Sequence, residues 1–171
     1  MLKENVQKTL NEQINAELYS AYLYFSMSAH FQTKDLKGMA NWFRVQAQEE
    51  LFHATKLFDY VNDRGGRVTL TQVAGPPVEW DSPVTAFEEA FKHEQKVTSL
   101  INNLVELADK EKDRLTENFL QWFVAEQVEE EANVSEIVGQ LKLVGTSGSG
   151  LFMIDRELAQ RVFVMPTATT A

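Results

Sequence analysis

Residues 65–82 read Gly65-Gly66-Arg67-Val68-Thr69-Leu70-Thr71-Gln72-Val73-Ala74-Gly75-Pro76-Pro77-Val78-Glu79-Trp80-Asp81-Ser82. A glycine pair at one end, Gly-Pro-Pro within and Pro83 just beyond mark this stretch as a connection and not a helix. Its 18 residues can extend roughly 60 Å at about 3.3 Å each, whereas a helix of about 27 residues is only about 40 Å long. The connection can therefore cross the full height of a helical bundle. A structureless link of this length is unusual in a compact domain and favours a four-helix bundle with one long crossover over a simple up-down-up-down arrangement.

Outward from this link lie long stretches rich in good helix formers, with apolar residues recurring at three- and four-residue steps. The spacing predicts a first helix over about 5–32, with Val6, Leu10, Ile14, Glu17, Ala21, Tyr24 and Ser28 on one face, and a second over about 38–64, with Phe43, Gln46, Glu50, His53, Leu57 and Val61. The third, about 83–109, carries Val84, Phe87, Phe91, Glu94, Thr98, Ile101, Val105 and Ala108, opened by Ser82 as N-cap and Pro83 at the first position. The fourth, about 113–144, carries Phe119, Phe123, Gln127, Glu130, Val134, Ile137, Leu141 and Val144. Short links make each pair an antiparallel hairpin. Gly145 to Gly150 then forms a flexible hinge, followed by a fifth helix of about 13 residues with Leu151, Ile154, Leu158 and Val162 on one apolar face. Too short to stand alone, it must dock on the bundle or on a neighbouring chain; because the four helices already bury one another the neighbour is favoured, and an oligomer is expected. The predicted fold is all-α. Residues 1–145 form the bundle, and 146–171 the hinge, short fifth helix and tail of the same domain.

Composition narrows the function. Among 171 residues there is no Cys, which removes disulfides, thiol redox chemistry, Cys-ligated zinc and iron–sulfur clusters. The start of the chain has no apolar stretch of the kind a signal peptide needs, and no transmembrane helix is available, so a cytoplasmic protein with no membrane partner is expected. With 16 basic against 25 acidic residues, the net charge of −9 repels nucleic acid and attracts cations.

Four acids interrupt the apolar seams. Glu17, Glu50, Glu94 and Glu130 lie one per helix, each near its helix's midpoint, so they fall in one layer whichever way the helices run. His53 stands one turn from Glu50. A buried carboxylate protonates or finds a cation, and none of these seams carries Lys or Arg to serve. The set therefore reads as an inward-facing metal cage. Four carboxylates balance two divalent ions, and a mixed carboxylate and imidazole set suits iron or manganese. Bridging carboxylates would hold two metals about 3.5–4 Å apart, close enough to act on one oxygen species. Glu129-Glu130-Glu131 also contains ordinary surface charge, and Glu131 is read as that alone. His30 and His93 fall outside the ligand pattern.

The stretches Gln13-Ile14-Asn15-Ala16-Glu17, Gln48-Glu49-Glu50-Leu51-Phe52-His53-Ala54, Glu79-Trp80-Asp81-Ser82-Pro83 and Trp122 through Glu131 occur in this order. In them the chain closely resembles the non-haem ferritins of bacteria and archaea, over nearly its entire length. The resemblance implies a ferritin-like fold, with one iron held by Glu17, Glu50 and His53 and a second by Glu94 and Glu130. Glu50 bridges them and Gln127 lies beside them. It implies a third nearby iron site at Glu49, Glu126 and Glu129 with Glu130 shared, and aromatic electron donors at Tyr24 and Trp122. The haem-containing relatives carry Glu-x-x-His where this chain has Gln127-Val128-Glu129-Glu130, and their haem-ligating Met corresponds to Leu51, so no haem is expected.

The activity implied is that of a ferroxidase: two ferrous ions bind, O2 takes an electron from each, and the ferric product is stored as a mineral in a hollow shell, a homo-oligomer of twenty-four subunits. Two alternatives stay open. A di-iron oxidase or peroxidase without storage would use the same cage, though such proteins usually append a Cys-ligated iron domain. A structural helical bundle whose acids face solvent would bind no metal.

Overall fold

The computed structural model describes residues 2–165. Its helices are α1 (Glu4–Thr33), α2 (Lys37–Asp63), α3 (Pro83–Lys110), α4 (Arg114–Val144) and α5 (Gly148–Leu158). The four long helices start and stop within two residues of the sequence expectation. Pro166 and the rest of the predicted tail lie outside the described residues.

Local chemistry sets the helix ends. Ser82 caps α3 by accepting from the Thr85 N–H at 3.1 Å, with Pro83 at the first position as expected. Asp113 caps α4 through the Thr116 N–H at 3.2 Å. The two hairpin turns each hold one residue in the left-handed region, Asp35 (φ 57°) and Lys112 (φ 55°). Asp tolerates this conformation well, Lys less so.

Two ion pairs fix the directions of the helices. Lys3 meets Glu111 at 2.9 Å and Arg64 meets Asp113 at 3.1 Å. The start of α1, the end of α2, the end of α3 and the start of α4 thus share one end of the bundle. Helices α1 and α4 run one way and α2 and α3 the other, which requires the connection from α2 to α3 to traverse the bundle. It does so along α1, held by a row of side-chain amides. The Gln7 side-chain carbonyl accepts from the Arg67 N–H at 3.0 Å. Asn11 accepts from the Thr69 N–H at 2.8 Å and donates to the Arg67 carbonyl at 3.1 Å. Asn15 donates to the Gln72 carbonyl at 3.2 Å, and Ser26 to that of Pro77 at 2.5 Å. The crossover's backbone has no ladder of its own, and α1 supplies the missing partners.

The core is in two parts. One end of the bundle is aromatic: Phe43 sits between Phe31 and Phe87, with ring centroids at 5.6 and 4.6 Å, and Trp42, Trp80 and Tyr24 join them. The other end is mainly aliphatic, with Val6, Leu10, Leu57, Val61, Ile101 and Leu104. Fully burying one such side chain is worth roughly 1.5–3 kcal/mol. Glu17, Glu50, Glu94 and Glu130, all buried, fall between the two parts in chain order on every helix.

Three expectations need correction. Of the eight residues assigned to the buried face of α3, in two series of four at seven-residue spacing, only Phe87, Glu94, Ile101 and Ala108 are fully buried. Val84, Phe91, Thr98 and Val105 lie half-buried on its flank, and Ala86, Ala90, Val97 and Leu104 share the core instead. Several positions can alternate within an apolar stripe this broad, so the pattern alone does not centre it. On α4, Phe119 and Val144 are likewise half-buried.

The second correction is to the bounds of α5. The helix begins inside the expected hinge, because Ser147 accepts from the Gly150 N–H at 3.2 Å and caps a first turn containing Gly148 and Gly150. It ends after 11 residues, leaving Val162 beyond it and exposed. The chain turn before it is made by Gly145, at φ 54°.

The third is its docking partner. Helix α5 lies on its own bundle, burying Ile154 and Leu158 in the aromatic part of the core. Two features of the start of α2 explain this. The Asp155 carboxylate accepts from the Met39 N–H at 2.9 Å, capping a helix whose own N-cap, Leu36, has no side-chain oxygen to offer. Gly38 allows the close approach, since a Cβ there would stand 1.6 Å from the Asp155 carbonyl oxygen. Among the described residues no helix is long and apolar enough to cross a membrane.

Candidate metal centre

Glu17, Glu50 and His53 come together as the seams predict. One ligand atom from each lies within 4.8 Å of the others, and all three side chains are buried. His53 Nδ1 is 3.4 Å from a Glu50 oxygen. Gln13, one turn before Glu17, donates to Glu17 Oε1 at 2.8 Å. Glu17 Oε2 has no hydrogen-bond partner among the described residues. A buried carboxylate oxygen without a donor is costly, and it is what a site that takes a cation would present.

Glu94 and Glu130 face this group without joining it, each restrained by hydrogen bonds. Glu94 accepts from the buried Tyr24 hydroxyl and, at 3.3 Å, from the Gln127 amide. Glu130 accepts from the Gln46 amide at 2.5 Å, and the same amide reaches Glu50 at 3.3 Å. Gln127 also donates to Thr98 at 3.2 Å, and Thr98 in turn to Glu131 at 2.6 Å. Glu131 is therefore half-buried and tied to the centre, not a plain surface charge as expected.

The electrostatics follow from burial of like charges. Burial and then the Glu50 charge push Glu17 up to about 8. Burial and the Glu94 charge push Glu50 to about 7, and burial and the Glu130 charge push Glu94 to about 8. Burial alone would lower His53, but the hydrogen bond to Glu50 and the charges of Glu50 and Glu17 raise it to about 10. Tyr24, buried beside Glu94, is held well above its ordinary value and stays a phenol. Without metal, the layer thus retains protons that a divalent ion would replace.

Glu49 and Glu126 are half-buried and Glu129 is exposed, on the side of the layer facing away from the apolar seams. Burial raises the pKa of Glu49 to about 7, against the lowering effect of a nearby Arg161. Burial also raises Glu126, and the Glu129 charge adds to it. The Trp122 ring stands edge-on to His53 at 5.4 Å. His30 is packed between Phe31 and Trp80, away from the acids. His93 is bonded to Ser20 at 2.8 Å and lowered to about 4 by burial.

Sequence reasoning missed three members of this environment. Gln13 and Gln46 are buried amides that orient the carboxylates. Gln46 stood on the predicted seam, where a second polar residue one turn before Glu50 was the available signal. Arg161 follows α5 in the chain, and nothing in its spacing relates it to Glu49.

Comparison with known proteins bears on the family and the fold. The model of the ferritin-like domain matches residues 7–144. A bacterial non-heme ferritin from Bacteroides fragilis is 43% identical over 161 residues, covering 94% of this chain and all of the relative. One from Escherichia coli O6:H1 is 45% identical over 159 residues, covering 93% and 96%. Among solved structures, an engineered closed form of the Archaeoglobus fulgidus ferritin superimposes with a TM-score of 0.95 at 55% identity, covering 96% of this chain and all of that one. The open-pore ferritin of the same archaeon gives 0.94 at 55%, with 95% and full coverage. With the family model spanning all four long helices and relatives of this similarity aligned over nearly the whole chain, this protein belongs to the ferritin family.

Proposed function

We propose that this chain is the subunit of an iron store with ferroxidase activity. Fe(II) is the substrate: one ion bound by Glu17, Glu50 and His53, a second by Glu94 and Glu130, with Glu50 between them and Gln127 as a neutral neighbour. O2 takes one electron from each ion, and the ferric product passes to a mineral inside a hollow homo-oligomer of twenty-four subunits. The observation that carries this reading is the cluster of Glu17, Glu50 and His53, with an unpartnered carboxylate oxygen, in the only polar layer between two apolar core clusters of the described residues.

Each residue has a part in the chemistry. Glu17, Glu94 and His53 give up protons as Fe(II) enters, which couples binding to pH. Tyr24 and Gln127 hold Glu94 in place, Gln46 holds Glu50 and Glu130, and Gln13 holds one oxygen of Glu17 so that the other is free. Oxidation raises the metal charge from +4 to +6 against four carboxylates, so the ferric pair is under-neutralised and tends to hydrolyse and leave. Glu49, Glu126 and Glu129, with Glu130 shared, form an outer metal site on its way out. Tyr24 and Trp122 stand close enough to the layer to supply further electrons. Leu51 offers no thioether, in keeping with a centre that works without haem. Burial of α5 on the bundle supports treating 1–145 and 146–171 as one domain, the acidic balance supports a store without nucleic acid as partner, and the lack of a membrane-spanning helix among the described residues is in keeping with a cytoplasmic one.

Aerobic addition of Fe(II) in large excess over two per chain, followed by ferric absorbance and size exclusion, tests the reading. Oxidation far beyond two ions per chain, with iron retained in a large particle, is expected. Oxidation that stops at two and stays bound would identify a di-iron oxidase without storage, and no oxidation above the protein-free rate would leave only a structural bundle.

A further inference from the structure

Beyond α5 the chain turns back along α2 and is fastened there. The Asn41 side-chain amide donates to the carbonyls of Leu158, Ala159 and Arg161, at 3.3, 3.4 and 2.9 Å. This places the Arg161 guanidinium over the Trp42 ring, 4.5 Å from its centroid. One of its nitrogens donates to the Gln46 side-chain carbonyl at 2.8 Å, and the other forms an ion pair with Glu49. The pair is about three-quarters withdrawn from water, with side-chain exposures of 20% and 24%.

The contact reaches further than one salt bridge. Gln46 is fully buried, and its amide nitrogen is the group that holds Glu130 and Glu50. Arg161 therefore touches the outer acid directly and the inner carboxylates through a single amide, whose orientation it fixes. Besides Arg161, Glu49 feels the negative charges of Glu130 and Glu126 and the opposing charge of His53. A metal ion arriving at Glu49 would have to share its carboxylate with the guanidinium and would be repelled by a charge that does not titrate away, so the two compete for it.

We propose that Arg161 is a built-in competitor for the outer metal site. It occupies Glu49 when that site holds no metal and is displaced when a metal takes Glu49, which unfastens residues 159–165 from α2. Resting on the outer-site assignment made above, this turns the segment after α5 into a reporter of that site's occupancy. By linkage, whatever holds the segment down weakens outer-site binding by the same factor that metal loosens the segment. Lys cannot reproduce the contact, since one ammonium lacks the planar fork that reaches Gln46 and Glu49 together.

The test is calorimetric titration of the assembled, metal-free protein with Zn(II), which does not change oxidation state. It is run on the native chain, Arg161→Gln and Arg161→Lys, with hydrogen exchange of a peptide spanning 157–165 read at each equivalent. A third Zn(II) per chain is expected to bind about tenfold more tightly to R161Q than to the native protein, the size of a well-formed, partly buried ion pair. R161K should fall between the two. In the native protein, exchange at 159–165 should rise on the third equivalent and not on the first two. In R161Q it should be fast from the start. A third equivalent that binds with the same affinity in all three proteins, or binds more weakly in R161Q, overturns the competition while leaving the outer site intact. Only two equivalents in every protein would overturn the outer site and the competition together. R161K, which keeps the charge, decides the matter should R161Q fail to assemble.

Discussion

Loading the centre with metal should expel about three protons per chain at pH 7. Near that pH, Glu17 and Glu94, both raised to about 8, are mostly protonated, and His53, raised to about 10, shares a further proton with Glu50. A divalent ion takes carboxylates and a neutral imidazole, so each of these protons must leave. At pH 9 the two carboxyls are already ionised and only the His53 proton remains, so release should fall to about one. The assay is anaerobic Zn(II) titration at several pH values, by calorimetry in buffers of different ionisation enthalpy, counting protons against metal bound. Release of fewer than one proton per chain at pH 7 with two ions bound, or release that does not vary between pH 7 and 9, would refute the argument that burial keeps this layer protonated.

The same shifts set the pH dependence of stability without metal. Glu17, Glu50 and Glu94 have folded-state values above their ordinary 4.5, so the folded chain holds more protons than the unfolded one above that pH. Their contribution is full at low pH and is lost as pH rises through about 8, and His53 extends the loss towards 10. Thermal unfolding of the metal-free protein should fall steeply between pH 6 and 9, and bound Zn(II) should remove most of that fall. Gly38→Ala places a Cβ against the Asp155 carbonyl and forces α5 off the start of α2. With Ile154 and Leu158 uncovered, a loss of about 3 kcal/mol and fast hydrogen exchange across 148–158 are expected. Tyr24→Phe deletes a donor to Glu94 and should slow Fe(II) oxidation about tenfold in stopped-flow absorbance, the effect of losing one hydrogen bond to a charged group.

The elements legible in the sequence are those fixed by local chemistry. The cap at Ser82 and the breakers around 65–82 bound the long helices to within two residues. Glu17, Glu50, Glu94 and Glu130 could be found because each stands where its helix otherwise places an apolar side chain. What escaped was decided by tertiary contact. An amphipathic α5 needs an apolar partner, and a bundle end or a second chain would satisfy it equally. The choice rests on Gly38 and Asp155, which are ordinary residues until they meet. Gln46 sends its carbonyl one way and its amide the other, a role invisible without Arg161, which lies 115 positions later. The face of α3 was misjudged where two seven-residue series were equally apolar.

The row of amides on α1 has a metric consequence. Gln7, Asn11 and Asn15 are spaced four apart on the helix, and each engages one of the crossover positions 67, 69 and 71, which are spaced two apart. Four helical residues advance about 6 Å, and two extended residues advance about 6.6 Å. Helix and strand-like chain are therefore nearly commensurate, like two rulers of different graduation laid edge to edge. A two-residue insertion before Arg67 would slide the chain by one whole tooth and leave every amide a partner to engage, whereas a one-residue insertion would present Gln7 and Asn11 with the wrong face of the backbone. Natural length variation in this crossover should accordingly come in even steps.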